Sequence, residues 1–259
     1  MRELLKRTIT GLILVALTIF LTFRGGKLLS YFVFLISIIG LREFYNAVNN
    51  KNYKPIRSIG YIACIGFLLN SLGYEIISLN FIMFFVTISL IIAFVLNEKI
   101  KLTDISITFF SIFYIPFLFQ HIIYLDGSIY IWFIFITAWG TDTFAYLAGN
   151  LFGKTKLCPE LSPNKTVEGS IGGILGSVLI TILFSKYFNF YPLWKLILLS
   201  ALAAIIAQFG DLAASKIKRI MGIKDYGFIL PGHGGILDRF DSILFTAPFV
   251  YYFVSLFLF

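Results

Sequence analysis

Residues 76–96 read I-I-S-L-N-F-I-M-F-F-V-T-I-S-L-I-I-A-F-V-L, with no charged side chain among them. An α-helix needs about 20 predominantly apolar residues to cross the hydrocarbon core of a bilayer. Inside that core only helices and closed barrels satisfy their own backbone hydrogen bonds. The run therefore predicts a transmembrane helix. Working outward, eight more apolar runs lie at 8–23, 28–44, 56–72, 105–124, 129–149, 169–188, 193–212 and 240–259. Together they predict an all-α polytopic integral membrane protein with about nine transmembrane helices.

Composition points the same way. Of 259 residues, 59% are hydrophobic and 13% charged, against about 45–50% and about 25% in soluble domains. Mean hydropathy is +0.91. No polar stretch is long enough for an independent soluble core, so residues 1–259 are read as one integral membrane domain. Residues 1–138 are mostly spans and short connectors, and 139–259 hold almost every polar group that invites a chemical explanation. The opening M-R-E-L-L-K-R and the apolar run after it resemble a signal peptide. Thr22-Phe23-Arg24 offers no small-residue cleavage site, so the run is read as a retained first helix. Cys64 and Cys158 suggest neither a disulfide framework nor a zinc site.

Cation placement sets the expected orientation. With the N-terminus in the cytoplasm and nine crossings, 17 of the 21 Lys and Arg residues fall on the cytoplasmic side; only Arg24, Lys27, Lys186 and Lys195 fall on the other. That bias follows the positive-inside rule. It also assigns the loop at 151–168 and the segment at 215–241 to one face, where they can form a single site.

Residues 215–241 read S-K-I-K-R-I-M-G-I-K-D-Y-G-F-I-L-P-G-H-G-G-I-L-D-R-F-D, a dense mixture of both charges beside apolar helices. Such charges are costly near a bilayer unless they bind something. Carboxylates suit a cation, and Lys and Arg suit phosphate. Gln208, Asp211 and Ser215 share a helix face, and Asp238 and Asp241 are i, i+3 at the start of the last span. Asp211 and Asp238 are the expected ligands of Mg²⁺, which typically takes one or two carboxylates. The competing explanation is ion pairing, for example of Asp238 or Asp241 with Arg239 or Lys218. Gly232, Gly234 and Gly235 before the last helix suit a phosphate cradle, and His233, flanked by glycines, can donate to a phosphate or relay a proton. It can equally be a turn histidine at a membrane interface. His121, alone in an apolar run, reads as a core histidine.

Upstream, Asp142, Tyr146 and Asn150 follow i, i+4, i+8, a polar stripe expected to face the bundle interior as site or as scaffold. Ser162-Pro163 and Thr166 can start a helix, Lys165 offers a point charge, and the glycines after them allow close approach. That is either an anion-binding entry or a capped helix with a snorkelling lysine.

These residues carry a resemblance. Ser215-x-Ile217-Lys218-Arg219, Lys224-Asp225, Gly227, Leu230-Pro231, His233-Gly234-Gly235-Ile236 and Asp238-Arg239-Phe240-Asp241 resemble the signature of the bacterial phosphatidate cytidylyltransferases, or CDP-diacylglycerol synthases. Asp142-x-x-Ala145-Tyr146-x-x-Gly149, Gly153-Lys154, Ser162-Pro163-x-Lys165-Thr166-x-Glu168-Gly169 and Gly210-Asp211-Leu212 are similar to further blocks of that family; Asn164 and Val167 stand at positions where it varies. The resemblance implies transfer of CMP from CTP to phosphatidic acid, with CDP-diacylglycerol and pyrophosphate as products, in phospholipid biosynthesis at the bacterial cytoplasmic (inner) membrane. As catalytic residues it implies Asp211, Asp238, Lys218, Arg219, Lys224, His233 and Arg239. Substrate contacts are expected from Ser162, Lys165, Thr166, Ser215, Asp225, Gly232, Gly234, Gly235 and Asp142. Mg²⁺ is the expected cofactor, with Asp142 and Asp241 as further candidate ligands and a second cation such as K⁺ as an option. CTP, phosphatidic acid and membrane lipids are the expected partners, with no nucleic acid, and a homodimer is expected, for which residues 1–138 offer apolar surface. The rivals are a CTP-dependent lipid kinase, which would move the γ-phosphate, and an ion-coupled transporter or flippase, which would hold its acids near the bilayer midplane.

Overall fold

A computed structural model describes residues 2–74, 76–190, 192–230, 232 and 234–258, with side chains from Ile9 onward. Its described residues form nine helices and one small hairpin: α1 (Arg2–Arg24), α2 (Gly26–Asn49), α3 (Arg57–Ser71), α4 (Leu79–Leu96), α5 (Leu102–Tyr124), α6 (Ile131–Phe152), β1 (Lys156–Cys158), β2 (Ser162–Thr166), α7 (Val167–Tyr187), α8 (Leu193–Met221) and α9 (Leu237–Phe257). Each of the nine apolar runs is a helix. Seven are long and apolar enough to cross a membrane; the apolar part of α1 (Ile9–Arg24) and the 15-residue α3 are shorter. The chain is an integral membrane protein.

It divides into two compact units, residues 1–126 with 220–239, and residues 127–219 with 240–259. In the first unit α3, α4 and α5 share a core of Ile59, Ala63, Phe67, Ile82, Val86, Leu90 and Ile112. Gly60 leaves room for the ring of Tyr45, whose hydroxyl meets Ser111 Oγ at 3.1 Å. Within α5, Pro116 lacks the N–H an α-helix requires, and the turn Phe113–Phe117 widens to a π-helix around it. Helix α4 presents most of its side chains outward, Phe84 and Val95 among them, as a lipid-facing helix should.

In the second unit α6 and α7 pack through small residues. A Cβ on Gly173 would lie 2.8 Å from the carbonyl of Thr141, and Gly176 makes room for the ring of Phe144. Such approach of backbones is how helices adhere where no hydrophobic force acts between them.

Two sequence expectations change. Helix α8 runs to Met221, more than two turns beyond the apolar run that ended at residue 212; Ser215 lies on it as its shared face with Asp211 requires, and Lys218 and Arg219 are helical as well. The basic last turn suits the negative end of the helix dipole. The polar stripe of Asp142, Tyr146 and Asn150 is exposed, not interior, because the opposite face of α6 is the one closed against α7.

Candidate functional site

In the second unit, charged groups gather where α6, α8, α9 and the hairpin approach each other. Helices α8 and α9 touch at Gly210, where a Cβ would sit 2.8 Å from the carbonyl of Asp241. This contact brings Asp211, the next residue, toward Asp241. Asp211, Asp142 and Lys218 all lie close enough to act on the Asp241 carboxylate electrostatically, and Asp241 is itself buried, 8% exposed. Its Oδ1 accepts from Ser242 N at 2.8 Å, and Ser242 Oγ lies 3.5 Å from Asp142 Oδ2. Lys165 Nζ pairs with Asp211 Oδ2, and Ser215 Oγ lies 3.5 Å from Asp211 Oδ1. Three carboxylates and two lysines thus converge from four elements. Ser170 Oγ donates to Gln208 Oε1 one turn away, tying α7 to α8.

The hairpin delivers Lys165. Strands β1 and β2 pair antiparallel, Lys156 opposite Thr166 and Cys158 opposite Ser162. Pro163 is tolerated because a two-stranded ribbon has only edges. Thr166 ends the ribbon and caps α7, its hydroxyl accepting from Gly169 N at 3.1 Å. Glu168 folds back to accept from Lys154 N at 3.1 Å and Thr155 N at 3.2 Å. Both ends of the hairpin are therefore anchored, and Lys165, one residue before the cap, reaches α8.

In the first unit, the described residues between Met221 and Leu237 link α8 to α9. Gly232 and Gly234 have φ of 76° and 80°, backbone that favours glycine, and Leu230 N donates to Gly234 O at 3.0 Å. Asp238 is 7% exposed. Its Oδ2 accepts from Tyr226 N at 2.8 Å and Gly235 N at 2.9 Å. The next two N–H groups, of Ile236 and Leu237, donate to Glu43 of α2, each at 2.9 Å. An anion approaching these three N–H groups would have to displace a carboxylate.

Comparison with known proteins places the chain. A family model described as the cytidylyltransferase family matches residues 5–257. The chain belongs to the cytidylyltransferase family. Relatives named phosphatidate cytidylyltransferase include those of Staphylococcus saprophyticus, 34% identical, and Staphylococcus haemolyticus, 35% identical, each aligned over 93% of this chain and 95% of the relative. One from Staphylococcus aureus is 34% identical over 251 residues, with the same coverage.

For a cytidylyltransferase, the structure sorts the expected site residues as follows. Asp142, Asp211, Asp241, Lys165, Lys218 and Ser215 come together in the second unit. Ser162 is half-buried in β2, and Thr166 is the α7 cap. Arg219, Lys224, Arg239 and Gly232 are exposed, and Asp225 is half-buried with its Cβ against Gly234. His233 and Pro231 lie outside the described residues. Among the described residues, no three Asp, Glu, His or Cys side chains come together as ligands of one metal ion. Mg²⁺ needs fewer, usually one or two carboxylates completed by water and phosphate oxygens. The carboxylates grouped around Asp211 therefore fit such a cation. Sequence reading missed Glu43, 3% exposed in α2. Its signal in the sequence is a carboxylate one turn past Gly40 in an apolar run, outside the blocks that carry the resemblance.

Proposed function

We propose that the protein is a phosphatidate cytidylyltransferase, converting CTP and phosphatidic acid to CDP-diacylglycerol and pyrophosphate. The observation that carries this reading is the cytidylyltransferase match across residues 5–257, in a chain aligned nearly end to end with proteins of that name. A phosphatidate phosphate oxygen attacks the α-phosphorus of CTP; the new P–O bond forms as the bond from that phosphorus to the β-phosphate bridge breaks, and pyrophosphate leaves. A phosphate monoester is already an anion near neutral pH, so the step needs alignment and charge neutralisation more than a strong base.

The chain's residues suit that demand. Asp211 and Asp238 are the proposed cation ligands, with Asp142 and Asp241 as further candidates. Bound there, Mg²⁺ would supply charge neutralisation on the CTP phosphates. Lys165 and Lys218 stand beside the Asp211 group and balance substrate phosphates as point charges. Arg219, Lys224 and Arg239, exposed around the same sequence blocks, are suited to the lipid phosphate and the triphosphate. Asp225, the glycines and His233 are proposed to shape the pyrophosphate end. As part of the same proposal, the site faces the cytoplasm of a bacterial inner membrane, acyl chains stay in the bilayer while the headgroup enters sideways, and the enzyme acts as a homodimer.

The test is direct. Purified protein in mixed micelles with phosphatidate should release pyrophosphate from CTP, stop when EDTA is added and resume with excess Mg²⁺. No lipid-dependent pyrophosphate release would end the proposal.

A further inference from the structure

A carboxylate buried in an apolar helix is costly unless its oxygens are hydrogen-bonded. Glu43 of α2 spends both oxygens on one place, Oε1 on Ile236 N and Oε2 on Leu237 N. These N–H groups are the residue before α9 and its first residue, where a helix has unsatisfied donors. Two parallel bonds from a planar carboxylate fix a helix start in both position and direction, as one bond would not.

The surrounding sequence is shaped to admit this side chain. A Cβ on Gly227 would lie 2.5 Å from Glu43 Oε1, and one on Gly235 would lie 2.5 Å from both oxygens. The two glycines therefore make room for Glu43. One turn earlier on α2, a Cβ on Gly40 would lie 3.0 Å from Leu237 Cδ2, so residues 40 and 43 grip the same end of α9. Asp238 could have capped its own helix alone. It faces the loop at Tyr226 N and Gly235 N, and the remaining donors are met by a residue 193 and 194 positions away.

We infer that Glu43 is a positioning residue for nucleotidyl transfer: it clamps the first turn of α9 and so holds Asp238 and Arg239 in register. This rests on the proposed roles of those two residues. Asp238 sits one residue beyond a clamped N–H, so a small rotation of the turn swings its carboxylate.

Glu43→Gln tests the inference in the full-length protein. The amide keeps the shape but turns an NH₂ donor toward a backbone N–H, so one of the two bonds becomes a clash of donors. The expected result is a kcat at least 10-fold lower, KM for phosphatidate within about twofold of wild type, and faster amide hydrogen exchange confined to residues 226–239. Ile36→Ala, a buried change on the same helix at 2% exposure, serves as the control: its melting temperature falls while kcat holds. A Glu43→Gln protein with wild-type kcat, or one that merely loses folded fraction as the control does, overturns the inference. If the wild-type chain lacks transferase activity, the functional reading fails instead, and unchanged exchange at 226–239 in Glu43→Gln would separately refute the clamp.

Discussion

Asp211 shows how much one residue's neighbours decide. Its carboxylate meets Lys165 from the hairpin and lies within electrostatic reach of Asp241. A group of three acids so close is stable only with cations beside it, and Lys165 and Lys218 supply two. Asp211→Asn should lower turnover by at least about 10²-fold, the order seen when one charge-stabilising group is removed from an active site, with little change in melting temperature. Steady-state pyrophosphate release beside a thermal melt checks both, and near-normal turnover would remove Asp211 from the site. Lys165→Met should chiefly raise KM for CTP, since a lysine acts on phosphate as a charge rather than as a fitted fork; a fall in kcat alone would argue against that role. Asp142, Asp211 and Lys165 stood out in the sequence because charges are rare in such a chain. Their grouping with Asp241, four residues into α9, did not, because helix-face arithmetic places residues on their own helix and says nothing of which neighbour they meet.

At the scale of elements, apolar runs predict helices well and helix ends poorly. Helix α8 continues through Ser215, Lys218 and Arg219 because leaving the hydrocarbon core does not end a hydrogen-bond ladder. The hairpin was invisible for a different reason: strands of three and five residues are too short to display alternation, and Pro163 argued against them. Thr166 was legible as a cap, being a threonine three residues before Gly169 at the start of an apolar run. Thr166→Val should cost about 1 kcal/mol, the usual worth of an N-cap, and loosen the hairpin that carries Lys165. A chemical-denaturation or thermal shift of that order, with KM for CTP rising in parallel, is the expected pair. The α6–α7 contact is tighter. Gly176→Leu would drive a side chain into Phe144 and should destabilise the protein by about 1–3 kcal/mol or more, read as lost folded protein after detergent extraction.

For the whole molecule, the nine helices of the described residues and their membrane setting were legible because burial in lipid leaves so strong a mark on composition. The division into units was not: residues 220–239 join residues 1–126 across nearly a hundred positions, through contacts such as Glu43 with the start of α9 that no local pattern announces. Orientation rests on the distribution of 17 cations against four. The two native cysteines test it, since Cys64 is buried and Cys158 lies partly open in the hairpin. A membrane-impermeant maleimide should label Cys158 in inverted vesicles and not in intact spheroplasts; the reverse pattern would overturn the topology. The central claim is the chemistry, and the position of a radiolabel in CTP tests it most directly. Incubated with phosphatidate and Mg²⁺, CTP labelled at the α-phosphorus should pass its label into the extractable lipid, while label at the γ-phosphorus should appear only in pyrophosphate. Lipid labelled from the γ position, or from neither, would contradict the account.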